Sequence, residues 1–354
     1  MRRFDERDIP FARFAYDPES SVYEDYYKRH PQRLERDLHI RSLPQLCSEG
    51  TMTWNPMMSP VADAIFKFLG DINTFSEQAV ARTAPLESTP ELLTKKIKAL
   101  ARHLGIQDVG ITRLKDEHLY THRGRKPEHY GEPVHLEHSY AIAFTVEMDE
   151  DMIDRSPQLE EIIETSTGYL RAGIAGMILS YWLRELGYEA RNHMDGNYLL
   201  VAPLVAQEAG LGEIGRMGLL TTRKSGPRVR LGVVTTTAIL IPDAPDPFGL
   251  MEFCEICGKC QKTCPGKAIP AEKNAFYDGI HYWKIDHENC YERWRSLGTD
   301  CGICLSTCPF SHNISFPESG SFEGQTEAIE KALADAEEKY GMRRYIREPL
   351  DIMK

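Results

Sequence analysis

The chain has 354 residues, 42% of them hydrophobic, enough to bury a sizeable core in two or three domains. Its 53 Asp and Glu outnumber its 42 Lys and Arg, and the formal charge of −11 at pH 7 argues against a partner held through a phosphate backbone. No run of 18 apolar residues occurs, so nothing reads as a membrane-spanning helix.

The opening Met1-Arg2-Arg3-Phe4 has the two arginines of an export signal, but Asp5, Glu6, Arg7 and Asp8 stand where an apolar stretch is needed. A cytoplasmic location is expected as written, or the outer face of the cytoplasmic membrane if a precursor was trimmed. Residues 1–88 are assigned to a wrapping arm. Its first 60 residues are polar and irregular, with short helical turns, and Phe11, Phe14, Tyr16, Tyr23, Tyr26 and Tyr27 give it something to pack. The next unit, 89–249, opens with an amphipathic helix over 89–104. Ser88 or Thr89 can cap it, Leu92, Leu93, Ile97, Leu100, Ala101 and Leu104 recur at helical spacing, and Gly105 ends it. Residues 109–112 and 139–146 read as strands. A long helix over 158–186 follows, closed by Gly187, with Tyr169, Gly173, Gly176 and Ser180 on one face. A loop with Asp195, Gly196 and Asn197 leads to a helix near 203–209, a glycine-rich turn over 210–220, and a β-branched strand over 228–241. Mixed helices and strands in this order indicate an α/β or α+β sandwich. A charged helix over 323–339, in a tail assigned to 316–354, reads as a solvated face.

Between these units, over 250–315, lie eight of the nine cysteines. One block reads Cys254-x-x-Cys257-x-x-Cys260-x-x-x-Cys264-Pro265. The other has Cys290, a ten-residue gap, then Cys301-x-x-Cys304-x-x-x-Cys308-Pro309. This is the pattern of a protein with two 4Fe-4S clusters, in which the fourth thiolate of each cluster comes from the other block. It assigns Cys254, Cys257, Cys260 and Cys308 to one cluster and Cys264, Cys290, Cys301 and Cys304 to the other. Zinc also uses Cys-x-x-Cys pairs, but not two interleaved runs each closed by Cys-Pro. Disulfides fit poorly, because such short loops leave little to constrain. Cys47 is left over, as a buried structural thiol.

The glycine turn, Gly210-Leu-Gly212-Glu-Ile-Gly215-Arg-Met-Gly218, has neither the Lys-Ser/Thr of a P-loop nor the setting of a dinucleotide site. Its glycines, with Gly173 and Gly176, permit close approach of a planar cofactor or, equally, of another protein segment.

From Tyr169 to Gly187-Tyr188-Glu-Ala190, then Gly210 to Leu220, then Gly226-Pro-Arg-Val-Arg-Leu-Gly232 and the cysteine blocks, the chain resembles the corrinoid-dependent reductive dehalogenases. The arm is similar too, at Phe4-Asp-Glu-Arg-Asp, Phe11-Ala-Arg and Tyr26-Tyr-x-x-His-Pro31. The chain is shorter than is typical of that family. The sister epoxyqueuosine reductases share part of the pattern, but usually carry a helical-repeat tail for tRNA.

The resemblance implies an α+β fold, with a nitroreductase-like α/β sandwich binding a corrinoid ahead of a ferredoxin-like double-cluster domain. It implies base-off cobalamin, consistent with the lack of an Asp-x-His-x-x-Gly motif, with Gly173, Gly176, Gly210 and Gly212 beside it. It also implies an organohalide substrate, a low-potential electron donor, a possible peripheral membrane partner and no nucleic acid, unless the epoxyqueuosine alternative holds. Tyr169 is the candidate proton donor, equally readable as a core aromatic. A neighbouring cation would lower its pKa, and Arg228 or Arg230, taken as two residues apart on one strand face, would supply it if neither is merely salt-bridged. Asn197 would orient tyrosine or substrate, or be a plain turn residue. Asp195 is its rival, and an acid there would look more like the epoxyqueuosine enzymes. A bare electron carrier of ferredoxin type, the remaining alternative, would need only roughly 60–80 residues.

Overall fold

The structure, a computed structural model, describes residues 3–76, 84–277 and 280–354. Met1, Arg2 and the 77–83 part of the arm lie outside it.

The arm is more helical than its irregular sequence indicates: α1 (Pro10–Arg13), α2 (Ser21–Arg29), α3 (Leu34–Ser42) and α4 (Ser59–Asn73). Ser20 Oγ caps α2 by accepting from Tyr23 N, and Pro60 opens α4. Tyr16, Tyr26 and Tyr27 bury themselves against Ala12 in a small core of their own. Buried Arg13 lies between Asp37 and Glu288 and so ties the arm to the cysteine-rich unit.

The central unit contains α5 (Pro90–His103), β1 (Asp108–Arg113), β2 (Tyr140–Glu147), α6 (Glu150–Ile153), α7 (Leu159–Glu185), β3 (Ala190–His193), α8 (Ala202–Glu208), β4 (Glu213–Ile214), β5 (Leu220–Thr221) and β6 (Val229–Thr236). Four strands form one antiparallel sheet in the order β1-β2-β6-β3. Both faces of β2 are buried, and apolar residues fill it from Tyr140 to Val146 except at Thr145. Ile142, Phe144 and Val146 meet α5 and α7 on one face, while Ala141 and Ala143 make room for α8 on the other. Gly232 sits opposite Phe144 in the ladder, where a Cβ would lie 2.2 Å from the ring. Helix α7, ~40 Å long at 1.5 Å per residue, is buried from Leu159 to Ser166 and reaches past the sheet to the cysteine-rich unit.

That unit comprises α9 (Leu250–Cys257), α10 (Lys259–Thr263), the hairpin β7 (Ala275–Tyr277) and β8 (Ile280–Tyr282), α11 (His287–Leu297) and α12 (Ile303–Thr307). Phe248, Phe253, Phe310 and Phe322 form its core. The charged helix α13 (Thr326–Tyr340) is not wholly solvated: Ile329 and Ala332 are buried against this core. No helix among the described residues is long and apolar enough to cross a membrane.

Candidate functional site

The cysteine blocks fold as two matching half-sites. Gly258 and Gly302 take left-handed conformations inside the two Cys-x-x-Cys loops, at φ +62° and +60°, and each starts a short helix carrying the next cysteine. The thiols gather in the two groups that the spacing assigns. Burial raises the Cys308 thiol well above the ordinary range, and Cys254, Cys257 and Cys260 raise it further. Burial does the same to Cys304, whose neighbours are Cys290, Cys301 and Cys264, with Cys260 reaching across from the other group. Cys254, Cys260 and Cys290 are pushed up to about 12, burial being the largest cause in each. None is in a disulfide. Buried, crowded thiols of this kind become thiolates when a metal supplies compensating charge, so the donor set fits iron–sulfur clusters.

The glycine-rich turn belongs to the first of these groups. A Cβ on Gly215 would lie 3.3 Å from Cys254 Sγ. Arg216 Nη2 donates to Cys254 O at 2.7 Å, and Glu213 accepts from Phe248 N and Leu250 N at the start of α9. The four glycines expected beside a cofactor have their missing side chains replaced by protein. A Cβ would meet Leu69 at Gly173, Asn192 at Gly176, Ala244 O at Gly210 and Thr221 O at Gly212. Helix, sheet and loop packing accounts for them, and a cofactor is not needed to explain them.

The second group borders a recess built from every major segment. Tyr169 on α7 is half-buried, with Phe66 of α4 at 6.1 Å and the Arg230 guanidinium carbon 5.1 Å from its ring centre. Arg230 Nη2 donates to Thr165 Oγ1 at 2.6 Å and reaches Asp300 Oδ2 at 3.3 Å. Asp300 immediately precedes Cys301. Beneath this pair lies Glu161, fully buried, its carboxyl raised by burial and by Asp300. Also near Tyr169, Asp195 pairs with Arg125 at 3.3 Å; Tyr198 lies near Tyr169, Asp195, Arg125 and Tyr120, and Tyr291 near Asp300 and Arg125. Arg125, Asp195, Arg230 and Asp300 remain 12–26% exposed although burial or charged neighbours enclose them, as befits the walls of an inward recess.

The structure separates the paired candidates. Arg230 lies within β6 and points at Tyr169. Arg228 precedes β6, so strand alternation does not apply to it; it is fully buried, bonded to Ser311 O and Met148 O, and has a scaffold role. Asp195 faces the recess. Asn197 does not: it accepts from Arg191 and donates to Asn73 and Ser76, which fixes the loop. The expected effect of the cation on Tyr169 is also reversed in sum, because burial raises its pKa more than Arg230 lowers it. Arg125, Tyr198, Tyr291 and Asp300 had no motif to reveal them.

The 4Fe-4S dicluster domain family matches residues 253–312. A tetrachloroethene reductive dehalogenase of Sulfurospirillum multivorans is 31% identical over 264 residues, covering 65% of this chain and 52% of the relative. Another from Desulfitobacterium hafniense is 34% identical over 181 residues, covering 48% and 32%. An epoxyqueuosine reductase of Atelocyanobacterium thalassa is more distant, at 26% over 151 residues. The catabolic reductive dehalogenase NpRdhA superposes over 99% of this chain and 49% of its own, with a TM-score of 0.73 and 22% identity, so the fold is shared. The chain is homologous to the reductive dehalogenases and spans about half the length of the relatives it matches.

Proposed function

We propose that this chain is a reductive dehalogenase that removes halide from an organohalide, with electrons passed through two 4Fe-4S clusters to a cobalamin in the recess. The observation that carries the reading is the junction at Asp300, which pairs with Arg230 over Tyr169 and is followed in the chain by Cys301. Proton donor and electron supply meet at one wall.

The recess offers phenol hydroxyls, guanidinium N–H groups and carboxylates. Arg230 Nε is buried without a partner. Such a donor set would suit the amide-fringed rim of a corrinoid. When bound, that group supplies the cobalt chemistry that cleaves the carbon–halogen bond. The net change is R–X plus two electrons and a proton to R–H plus halide. Tyr169 holds the proton, since its raised pKa keeps it protonated at neutral pH. Arg230 stays charged, its pKa raised through Tyr169, Asp300 and Glu161 against the opposing effect of burial, and steadies the phenolate once the proton has left. The set Cys264, Cys290, Cys301 and Cys304 is the inner cluster; Cys254, Cys257, Cys260 and Cys308 hold the outer one, which receives electrons from a low-potential donor.

The presence of Asp195 rather than an amide in the recess favours a second reading, an epoxyqueuosine-reductase-like enzyme on a non-halogenated substrate. Anaerobic reconstitution with iron, sulfide and cobalamin, followed by electron paramagnetic resonance and assays of halide release, tests both. A base-off Co(II) signal with halide release supports the first reading. Retained corrinoid with no halide from any haloarene or haloalkene moves the assignment to the second, and failure to retain corrinoid removes both.

A further inference from the structure

Arg125 enters the recess from the segment between β1 and β2, and no step of the reaction proposed above uses it. Its Nη1 donates to Asp195 Oδ1 at 3.3 Å, the one hydrogen bond its guanidinium makes among the described residues. A guanidinium has five N–H donors, so most of this one is unmet by protein. It is nevertheless firmly placed. Buried Glu6 accepts from Gly124 N at 2.7 Å and from Arg125 N at 3.3 Å, and the Phe11 ring centre lies 5.5 Å from the guanidinium carbon. Gly124 is pressed so closely on the arm that a Cβ would lie 2.5 Å from Arg7 N.

The other donors of Arg125 are not sealed from water, so they are free to exchange water for an acceptor on a bound molecule. Asp195 takes one edge of the guanidinium and leaves the rest for an acceptor. The fork geometry suits a carboxylate or a phenolate oxygen. Tyr120 and Tyr198 lie near the same guanidinium and bring aromatic surface beside which an arene can pack.

Resting on the dehalogenase reading, we infer that Arg125 binds an anionic group of the substrate, so that this enzyme takes haloaromatic acids or halophenolates in preference to uncharged haloalkenes. Arg125 is thus a specificity residue, near the Tyr169 that serves the reaction.

The test compares 3-bromobenzoate with its methyl ester, titrated calorimetrically under anaerobic conditions into the cofactor-loaded enzyme at neutral pH. The acid should bind at least tenfold more tightly than the ester. Arg125→Gln should abolish that preference, and Arg125→Lys should retain part of it. A wild-type enzyme that binds the ester as tightly as the acid overturns the inference with no variant needed. So does an Arg125→Gln protein, shown folded by near-ultraviolet circular dichroism, that keeps the acid-to-ester ratio. Neither result touches the dehalogenase reading, which fails separately if no organohalide, charged or neutral, releases halide.

Discussion

Replacing Tyr169 with phenylalanine separates chemistry from packing. The ring keeps its contacts with Phe66 at 6.1 Å and with Arg230 at 5.1 Å. The hydroxyl makes no hydrogen bond to another described residue, so its loss orphans no partner. Stability should therefore change by at most about 1 kcal/mol, the net worth of one hydrogen bond. A positioned proton donor accounts for about 10²–10⁴ in rate, equivalent to ~2.7–5.4 kcal/mol of barrier. Turnover should fall by that factor while the thermal midpoint moves by only a few degrees. Burial holds the phenol above its ordinary pKa despite Arg230, so the donor form persists through neutral and mildly alkaline solution. Its contribution is lost only as pH rises through the raised pKa, and the wild-type rate should show no decline from this group between about pH 7 and 9. The assay is anaerobic halide release with reconstituted enzyme, paired with a melting curve and corrinoid quantification. A Tyr169→Phe enzyme that keeps a third or more of its turnover would refute the reasoning, as would a turnover loss matched by loss of corrinoid.

Arg13→Met leaves Asp37, which is fully buried, without its cation and should cost about 3–5 kcal/mol; limited proteolysis should then cut within residues 3–58, and an uncut arm would contradict this. Cys308→Ala should lower bound iron from roughly eight to roughly four atoms per chain, with the inner cluster's paramagnetic signal retained; complete loss of iron would show that the two sets do not load independently. Burial lowers His138 to a pKa of about 4, so folding is favoured while this side chain is neutral. That stability is present above about pH 6.5 and is lost as pH falls toward 4, by ~2 kcal/mol at pH 5. Urea midpoints at pH 7 and pH 5 should differ less for His138→Gln than for the wild type, and an equal difference in the two proteins would exclude His138 as the source.

Local chemistry was legible in the sequence and convergence was not. The eight cysteines could be sorted because cluster ligation demands short spacing, α5 because its Thr89 cap and periodicity are local, and the end of α7 because Gly187 closes it. Strand β3 escaped notice because its side chains are polar yet buried: Asn192 donates to Gly173 O, and His193 bonds to Thr235. The small-residue faces of α7 and the glycine turn were visible, but sequence does not say what approaches a glycine, and here it is protein. The choice of Arg230 over Arg228 depended on β6 beginning at Val229, a one-residue matter that strand propensity does not resolve. Arg125 lies in a loop with no periodicity, and only the folded chain brings it opposite Asp195.

The arm explains how so dispersed a site can be accurate. On one side it is bonded to the cysteine-rich unit: Arg13 to Glu288, Arg36 to Glu292, Arg295 back to Leu43 O and Pro44 O, and Cys47 N to Gly298 O. On the other it is bonded to the segment that carries Arg125, through Arg3 to Leu119 O and Val134 O and through Glu6 to Gly124 N. Helix α11 carries Cys290, whose thiol is held by the Trp294 side chain one turn on. The arm therefore fixes the inner cysteine set against the recess from outside both, while α7 does so from within through Glu161 packed at Gly302. The proposed delivery of electrons and a proton to one carbon would require fixed geometry, and two independent braces cross the junction that would need it.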